Sequence, residues 1–344
     1  MNLAAAIRDR DPSELPGKRD EDWRWTDLHG LIRAVPEASA PVDPRGVGQG
    51  PFEHLVQASH LIANGRNDAQ IGIAAGAEAT MALRLVSRGS GSHTTRVEVS
   101  VAAGGRLTLL ESYEGDEGGY VGHASLAIDL GDGASLERIV LAADGAEGVS
   151  VSEAEVRLGA HADYAQTVLA GGARRQRIET RVAHPGGGAK LRLDGVYLLS
   201  GKRHSDQTTI VTHQGTDGVT SQMTKGVVRD QARGVFQGRI VVAQGADRAD
   251  ARMEHHALIL SDRAEVDAKP ELEIYADDVA CSHGNTVGAL DEDALFYARQ
   301  RGMPDATARA LLTEAFIGQV IDRIGHEGAR EVARLWAADR LRVG

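Results

Sequence analysis

The residues with the widest chemical reach lie between Lys269 and Gly302, in KPELEIYADDVACSHGNTVGALDEDALFYARQRG. The chain's single cysteine, Cys281, stands two residues before His283. Thiolate and imidazole are ligands that suit iron or zinc. On an extended segment alternate side chains share a face, so the two point the same way with Cα atoms roughly 6–7 Å apart, two strand rises. Such a pair can grip a metal centre but cannot complete one, because structural zinc takes four ligands and iron–sulfur clusters are held mostly by several cysteine thiolates. The residues alone leave two readings open. Either Cys281 is a half-buried core residue and His283 a hydrogen-bonded one, or both serve a centre that another subunit completes.

Other chemistries lack their residues. A phosphate-binding loop requires Gly-x4-Gly-Lys-Ser/Thr, and Gly201-Lys202-Arg203 has neither the spacing nor the hydroxyl. No GxSxG, HExxH or CxxC pattern occurs. The neighbours His255 and His256 face opposite ways on a strand, which suits a core hydrogen bond or a surface role better than a metal. Asp277 and Asp278 raise the alternative of a solenoid enzyme acting on carbohydrate. Adjacent aspartates diverge on a strand, however, and an aromatic content of 4% leaves few rings to line a sugar groove.

The elements that must position Cys281 and His283 are short strands. From about Asp68 alternating runs such as RVEVSVA, RLTLLES and GRIVVAQ are separated by glycine corners. Gly76, Gly104, Gly133, Gly159 and Gly188 each open a Gly-small-x-apolar corner, at spacings of 28, 29, 26 and 29 residues, with Gly245-Ala246 as a later copy. A fixed period in this range marks a solenoid. Strand material excludes helical repeats, and a propeller blade needs about 40–45 residues. A β-solenoid is therefore expected, with a core of Ala, Val, Leu and Ile too narrow for many rings; a β-sandwich is the competing architecture. The open ends of a solenoid need caps, for which the N-terminal segment and the C-terminal helices are the candidates. A terminal edge also offers strand addition to a partner.

Residues 1–67 read as helical or irregular, with Trp23 and Trp25 packing in a small helical cluster and four prolines from Pro36 to Pro51 marking a loop. Residues 68–280 carry the repeats, and residues 281–344 read as a helical domain. In the latter, Asp291 is the expected N-cap of a helix that stops at Gly302. Ala308, Leu311, Leu312, Ala315, Phe316 and Val320 mark one apolar face, and Val332, Leu335 and Trp336 belong to a last helix. Spacing places Phe296 and Tyr297 in the core rather than in an exposed docking patch.

A net charge of −11 disfavours nucleic acid. One cysteine rules out a disulfide framework. There is no apolar stretch of signal-peptide length near the N-terminus and no run approaching membrane-spanning length, so a soluble cytoplasmic protein without membrane contact is expected.

The 269–302 segment closely resembles the signature of the SufB/SufD family of the SUF iron–sulfur cluster assembly scaffold. LPGKRDEDWRWTDL near the N-terminus is similar to that family's opening motif, and KGVVRDQARGVFQGRIVVAQGADRADARMEHHALILSDRAEVDAKPELEI follows its pattern. The single cysteine within Cys-Ser-His-Gly-x-Thr-Val-Gly points to the SufD side of the family, since SufB is expected to carry more cysteines.

The resemblance implies a right-handed parallel β-helix between helical ends. It implies a non-catalytic scaffold subunit that pairs with a SufB-like homologue through the far end of the β-helix and docks a SufC-like ABC ATPase on its C-terminal helices. By position, His283 and Cys281 match the cluster- or iron-binding interface residues, and the helix carrying Phe296, Tyr297, Arg299 and Arg301, ending at Gly302, matches the SufC-facing region. Any iron or iron–sulfur cluster would be transient and shared with SufB, none being held stably by the isolated chain, for which a homodimer through exposed β-helix ends is expected. A purely structural partner without a ligand role is the alternative.

Overall fold

Each corner reverses the chain after a run of about ten residues, and the runs stack on their copies one coil later. The structure, a computed structural model, describes residues 2–342. A short helix α1 (Leu3–Arg8) and a one-turn helix α2 (Leu28–Leu31) precede the strands. The strands are β1 (Ala58–Ala63), β2 (Ala69–Ile73), β3 (Glu78–Ser87), β4 (Ser92–Val101), β5 (Arg106–Gly115), β6 (Val121–Leu130), β7 (Ser135–Ala143), β8 (Val149–Leu158), β9 (Asp163–Ala170), β10 (Arg175–His184), β11 (Lys190–Leu199), β12 (His204–His213), β13 (Val219–Val228), β14 (Arg233–Val242), β15 (Asp250–Ile259), β16 (Glu265–Ile274) and β17 (Ala280–Gly288). Helices α3 (Glu292–Gln300), α4 (Asp305–Ile321) and α5 (Glu327–Arg342) follow.

All pairings between these strands are parallel. The odd strands form one sheet in the order β1-β3-β5-β7-β9-β11-β13-β15-β17, and the even strands form the second, β2 through β16. This is a parallel β-solenoid of about eight coils. One repeat is one coil: Leu107, Leu136, Tyr164, Leu191, Thr220, Ala251 and Cys281 lie in register in a single file, 27 to 31 residues apart. The repeated corner keeps a left-handed residue at Gly76, Gly104 and Gly133, but His161, Asp217 and Arg248 take that conformation in other coils. Strand structure begins at Ala58 and runs to Gly288, beyond both of the boundaries, 67/68 and 280/281, drawn from the sequence. Asp277 and Asp278 sit in the bend before β17 rather than on a strand.

Between the sheets, the core is mainly Val, Leu, Ile and Ala. The few rings that enter need room made for them: the Tyr197 ring occupies the space that a Cβ on Gly226, its in-register partner in the next coil, would take. The interior also holds charge. Arg138 is fully buried and forks onto Glu111 at 2.7 and 2.8 Å while donating to Gln166 at 2.8 Å, and Gln166 reaches Thr180 of the opposite sheet at 3.1 Å. Burial works against the Arg138 charge, but the Glu111 carboxylate outweighs it and holds the guanidinium's pKa above its usual value.

The C-terminal helices flank the odd sheet, whereas the N-terminal segment lies on the even sheet and also pairs through Ala38 with Ser92, covering part of the β4 edge at the first end. Ile317, Val320, Ile321 and Ile324, with Ala329, Ala333 and Ala337 of α5, cover Leu110, Ile139, Leu141, Leu169, Val196 and Leu198 on the outer face of the odd sheet. The Glu137 carboxylate accepts the Gly325 and His326 amides at 2.6 and 2.9 Å, fixing the turn into α5. The expected face of α4 is corrected in part, with Leu312 and Phe316 packing inward as expected. Ala308 and Val320 are buried, yet Leu311 and Ala315 are exposed and Thr313 and Ile317 face the protein instead; Leu335 is exposed. Small alanines let α5 approach the sheet more closely than Leu335 would. At the N-terminus, Leu3, Ile7, Leu15, Leu28 and Ile32 lie on Val121, Val149 and Val151 of the even sheet. Trp23 lies over the Arg177 guanidinium at 4.3 Å, and Thr26 donates to Asp206 at 2.5 Å. Trp23 packs, with Leu31, against the cluster that holds Leu28, as expected, and that cluster docks on a sheet face.

Burial pushes His93, His204, His213 and His255 down to about 4. Above the ordinary value of 6.5 these rings are neutral whether folded or not. As pH falls below 6.5 the unfolded chain takes up protons that the folded chain refuses until about pH 4, so stability is lost over that window. The slope is about 1.4 kcal/mol per pH unit for each ring. Urea unfolding between pH 7 and 4 should show this decline, and His213→Gln should make it shallower; a flat profile would contradict the assignment.

Candidate functional site

Registry in the odd sheet decides where the sequence-predicted ligands point. Ala251, Met253 and His255 of β15 are buried, whereas Arg252 and Glu254 are exposed. Their in-register partners on β17 are Cys281, His283 and Asn285. Three inward files therefore finish at this strand. The second runs Arg138, Gln166, Leu193, Gln222, Met253, His283, and the third ends Thr224, His255, Asn285. Among the described residues no strand pairs with the outer edge of β17 or of β16. Inward-facing residues of the last coil consequently form a rim open at the end of the solenoid.

Cys281 and His283 are brought onto one face, as their spacing predicts, but in unlike surroundings. Cys281 is half-buried against the core, its Sγ 4.0 Å from the Ala249 carbonyl. Burial pushes its thiol pKa up, Asp250 adds to the rise, and the Ala251 amide opposes it. In the chain by itself the sulfur is therefore a thiol rather than a thiolate at neutral pH. His283 is exposed. Among the described residues no group of three or more His, Cys, Asp or Glu side chains is placed to hold a metal. Around the rim, Ile274, Tyr275 and Val287 are exposed hydrophobics, Tyr275 at 64%.

Asn285 is the rim residue that the sequence reading missed. Its Oδ1 lies 2.7 Å from His255 Nδ1, and His255 Nε2 lies 2.9 Å from the Tyr197 hydroxyl. With the amide oxygen accepting, His255 carries its proton on Nδ1, and Nε2 accepts from Tyr197. The His255 ring is further clamped against Phe236, with centroids 4.6 Å apart and planes 7° apart. The relay fixes the Asn285 amide through its oxygen. Period two from Cys281 and His283 was the available signal for Asn285. His255 is the core hydrogen-bonder the sequence suggested, and His256, on the other face, bonds Thr286 at 2.7 Å.

Next to the rim, α3 is capped by Asp291, which accepts from the Asp293 and Ala294 amides at 2.9 and 3.1 Å, and it ends at Gly302 in the left-handed region. Leu295 faces the protein. Phe296 and Tyr297 do not: they are 58% and 61% exposed, which corrects the core placement, because Leu295 already fills the contact with Leu258 and Ala308. Arg301 lies over the Tyr297 ring at 5.0 Å and Arg299 pairs with Asp305 at 3.2 Å.

A protein-family model described as "SUF system FeS cluster assembly, SufBD core domain" matches residues 83–316. The chain is similar to the iron–sulfur cluster assembly protein SufD of Escherichia coli K12, 31% identical over 72% of this chain and 59% of that protein. It is similar to a SufBD family protein of Synechocystis, 30% identical over 67% of this chain and 52% of the relative. A SufBD family protein of Mycobacterium tuberculosis H37Rv is 26% identical over 96% of this chain and 90% of its own length. The match thus spans little more than half of the first two relatives and most of the third.

Asn285→Asp would set a carboxylate against His255 Nδ1. An opposite charge favours the imidazolium, so the His255 pKa should rise from about 4 by about one to three units. Imidazole nitrogen shifts followed by NMR titration check this; an unmoved His255 would contradict the relay.

Proposed function

The chain belongs to the SufBD core family of the SUF iron–sulfur cluster assembly system, and from that premise we propose that it is a SufD-like, non-catalytic, cytoplasmic scaffold subunit. Its last coil pairs edge to edge with the corresponding coil of a SufB-like homologue. The observation that carries this reading is the ending of three inward files at an unpaired edge, with one thiol, one imidazole and one fixed amide at the rim. Strand addition would give the β17 edge the hydrogen bonds it lacks and bury Tyr275, Ile274 and Val287. It would also bring the partner's cysteines to His283 and Cys281, completing a ligand set that this chain holds only in part. In the absence of that homologue the same edge suits a second copy of this chain.

Iron and sulfide are cargo in this scheme, held between the subunits and passed on. His283, exposed and facing the edge, is the ligand this chain offers first. Cys281 becomes a ligand only on losing its proton, which the charge of bound iron would favour. In the isolated chain its raised pKa favours the alternative of a structural role for that residue. The exposed Phe296 and Tyr297 on α3, with Arg299, Arg301 and the turn at Gly302, form the surface for a SufC-like ABC ATPase. α3 follows β17 after only three residues, so nucleotide-driven motion of a docked ATPase would be transmitted to the rim.

In a complex reconstituted from the three subunits with iron and sulfide, His283→Ala should lower cluster formation by about tenfold or more while the complex still assembles. Cys281→Ser should cost less. Full cluster yield with His283→Ala would contradict the ligand role, and failure of the subunits to co-purify would contradict the pairing.

A further inference from the structure

At the other end of the strand order, a cavity of about 230 Å³ lies between α1, the loop after β1 and the start of β4. In a chain of net charge −11, its lining includes Arg8, Arg10 and Arg66 and no Asp or Glu. The three cations are only lightly engaged. Arg66 donates once, to the Ser39 carbonyl at 3.0 Å, and Arg10 donates to the Val35 carbonyl at 3.3 Å. Glu37 touches Arg10 at 3.5 Å from outside the lining and is itself 87% exposed. Arg8 makes no hydrogen bond or ion pair among the described residues.

The backbone is bent to hold two of these arginines in place. α1 ends in a Schellman turn, with the Asp11 amide donating to Ala6 O at 2.9 Å and the Arg10 amide to Ile7 O at 3.3 Å. This puts Arg10 at the left-handed position, φ 55°, where glycine is favoured. On the facing side Asn64 and Gly65 are both left-handed, and a Cβ on Gly65 would stand 2.5 Å from the Thr94 carbonyl. That close approach delivers Arg66 to the cavity mouth. Ser39 and His93 also line it, and Ser39 Oγ together with Ser87 Oγ, outside the lining, holds the two nitrogens of His93 at 2.9 and 3.0 Å, giving a rigid, polar surface.

A residue kept in a disfavoured conformation is a pointer to function, and guanidinium forks match phosphoryl oxygens in geometry and charge. We propose that this cavity binds a phosphate-bearing small molecule, its phosphoryl oxygens held among Arg8, Arg10 and Arg66. Its volume exceeds what one phosphate group fills, leaving space for a second phosphoryl or a compact organic remainder. The site is independent of the rim at β17.

Calorimetric titration of the full chain with inorganic pyrophosphate, and separately with inorganic phosphate, tests this. Saturable binding of one equivalent of pyrophosphate is expected, with Arg66→Gln weakening it about tenfold or more. Arg10→Gly is the sharper variant. It supplies the residue the helix end favours, so the thermal midpoint should hold or rise while affinity falls about tenfold. Arg157→Gln, on β8 and outside the cavity, should leave affinity unchanged. Absence of saturable binding, affinity indifferent to Arg10→Gly and Arg66→Gln, or an equal loss with Arg157→Gln would each overturn the proposal.

Discussion

In-register parallel stacking is the constraint on which the rest of this molecule depends. Every backbone donor and acceptor along a coil's strands is met by the coil before and the coil after. The pattern repeats from β1 and β2 onward and stops at β16 and β17, where no following coil exists among the described residues. The same registry carries each interior side chain into a file along the axis, so the chemistry of the last coil is the end of those files. Cys281, His283 and Asn285 share the rim because Ala251, Met253 and His255 share the interior one coil earlier.

Charge inside such a stack has to be matched coil by coil. Arg138, Glu111 and Gln166 satisfy one another across three successive coils, at separations of 27 and 28 residues. Removing Arg138 or Glu111 would strand a buried charge, which is far more damaging than the pair is stabilising. The outer faces follow a different logic. Leu110, Ile139 and Leu169 would be an exposed apolar strip without α4 and α5, and Val121, Val149 and Val151 would be another without the N-terminal segment. The C-terminal helices are thus committed to a face and leave the β17 end open, the arrangement that the proposed pairing with a SufB-like subunit uses.

Much of this architecture was legible as period. Glycine corners at 26 to 29 residues and short alternating strands specify a solenoid, and the two-residue step from Cys281 to His283 places both on one face. What escaped the sequence depends on contacts between coils or between layers. Asn285 looks like an ordinary polar residue until His255, thirty residues earlier, is stacked beneath it. Helix faces were misphased because a period of 3.6 does not say which neighbouring stripe meets the sheet. Spacing puts Leu311 on the apolar face of α4, while the space at the sheet admits Ile317. Phe296 and Tyr297 went outward for a related reason: one residue, Leu295, was enough to anchor α3.

The central claim is that the outer edge of β17 awaits another strand. Hydrogen–deuterium exchange, read by mass spectrometry on peptides covering Ala280–Gly288, tests it directly, comparing the chain alone with the chain bound to a SufB-like partner. Alone, the amides on that edge should exchange quickly while those of β7 and β9 in the middle of the stack stay protected. In the complex the β17 amides should become protected and the central strands should not change. Protection of β17 that is already complete in a monomer, or that is unaltered by the partner, would contradict the account.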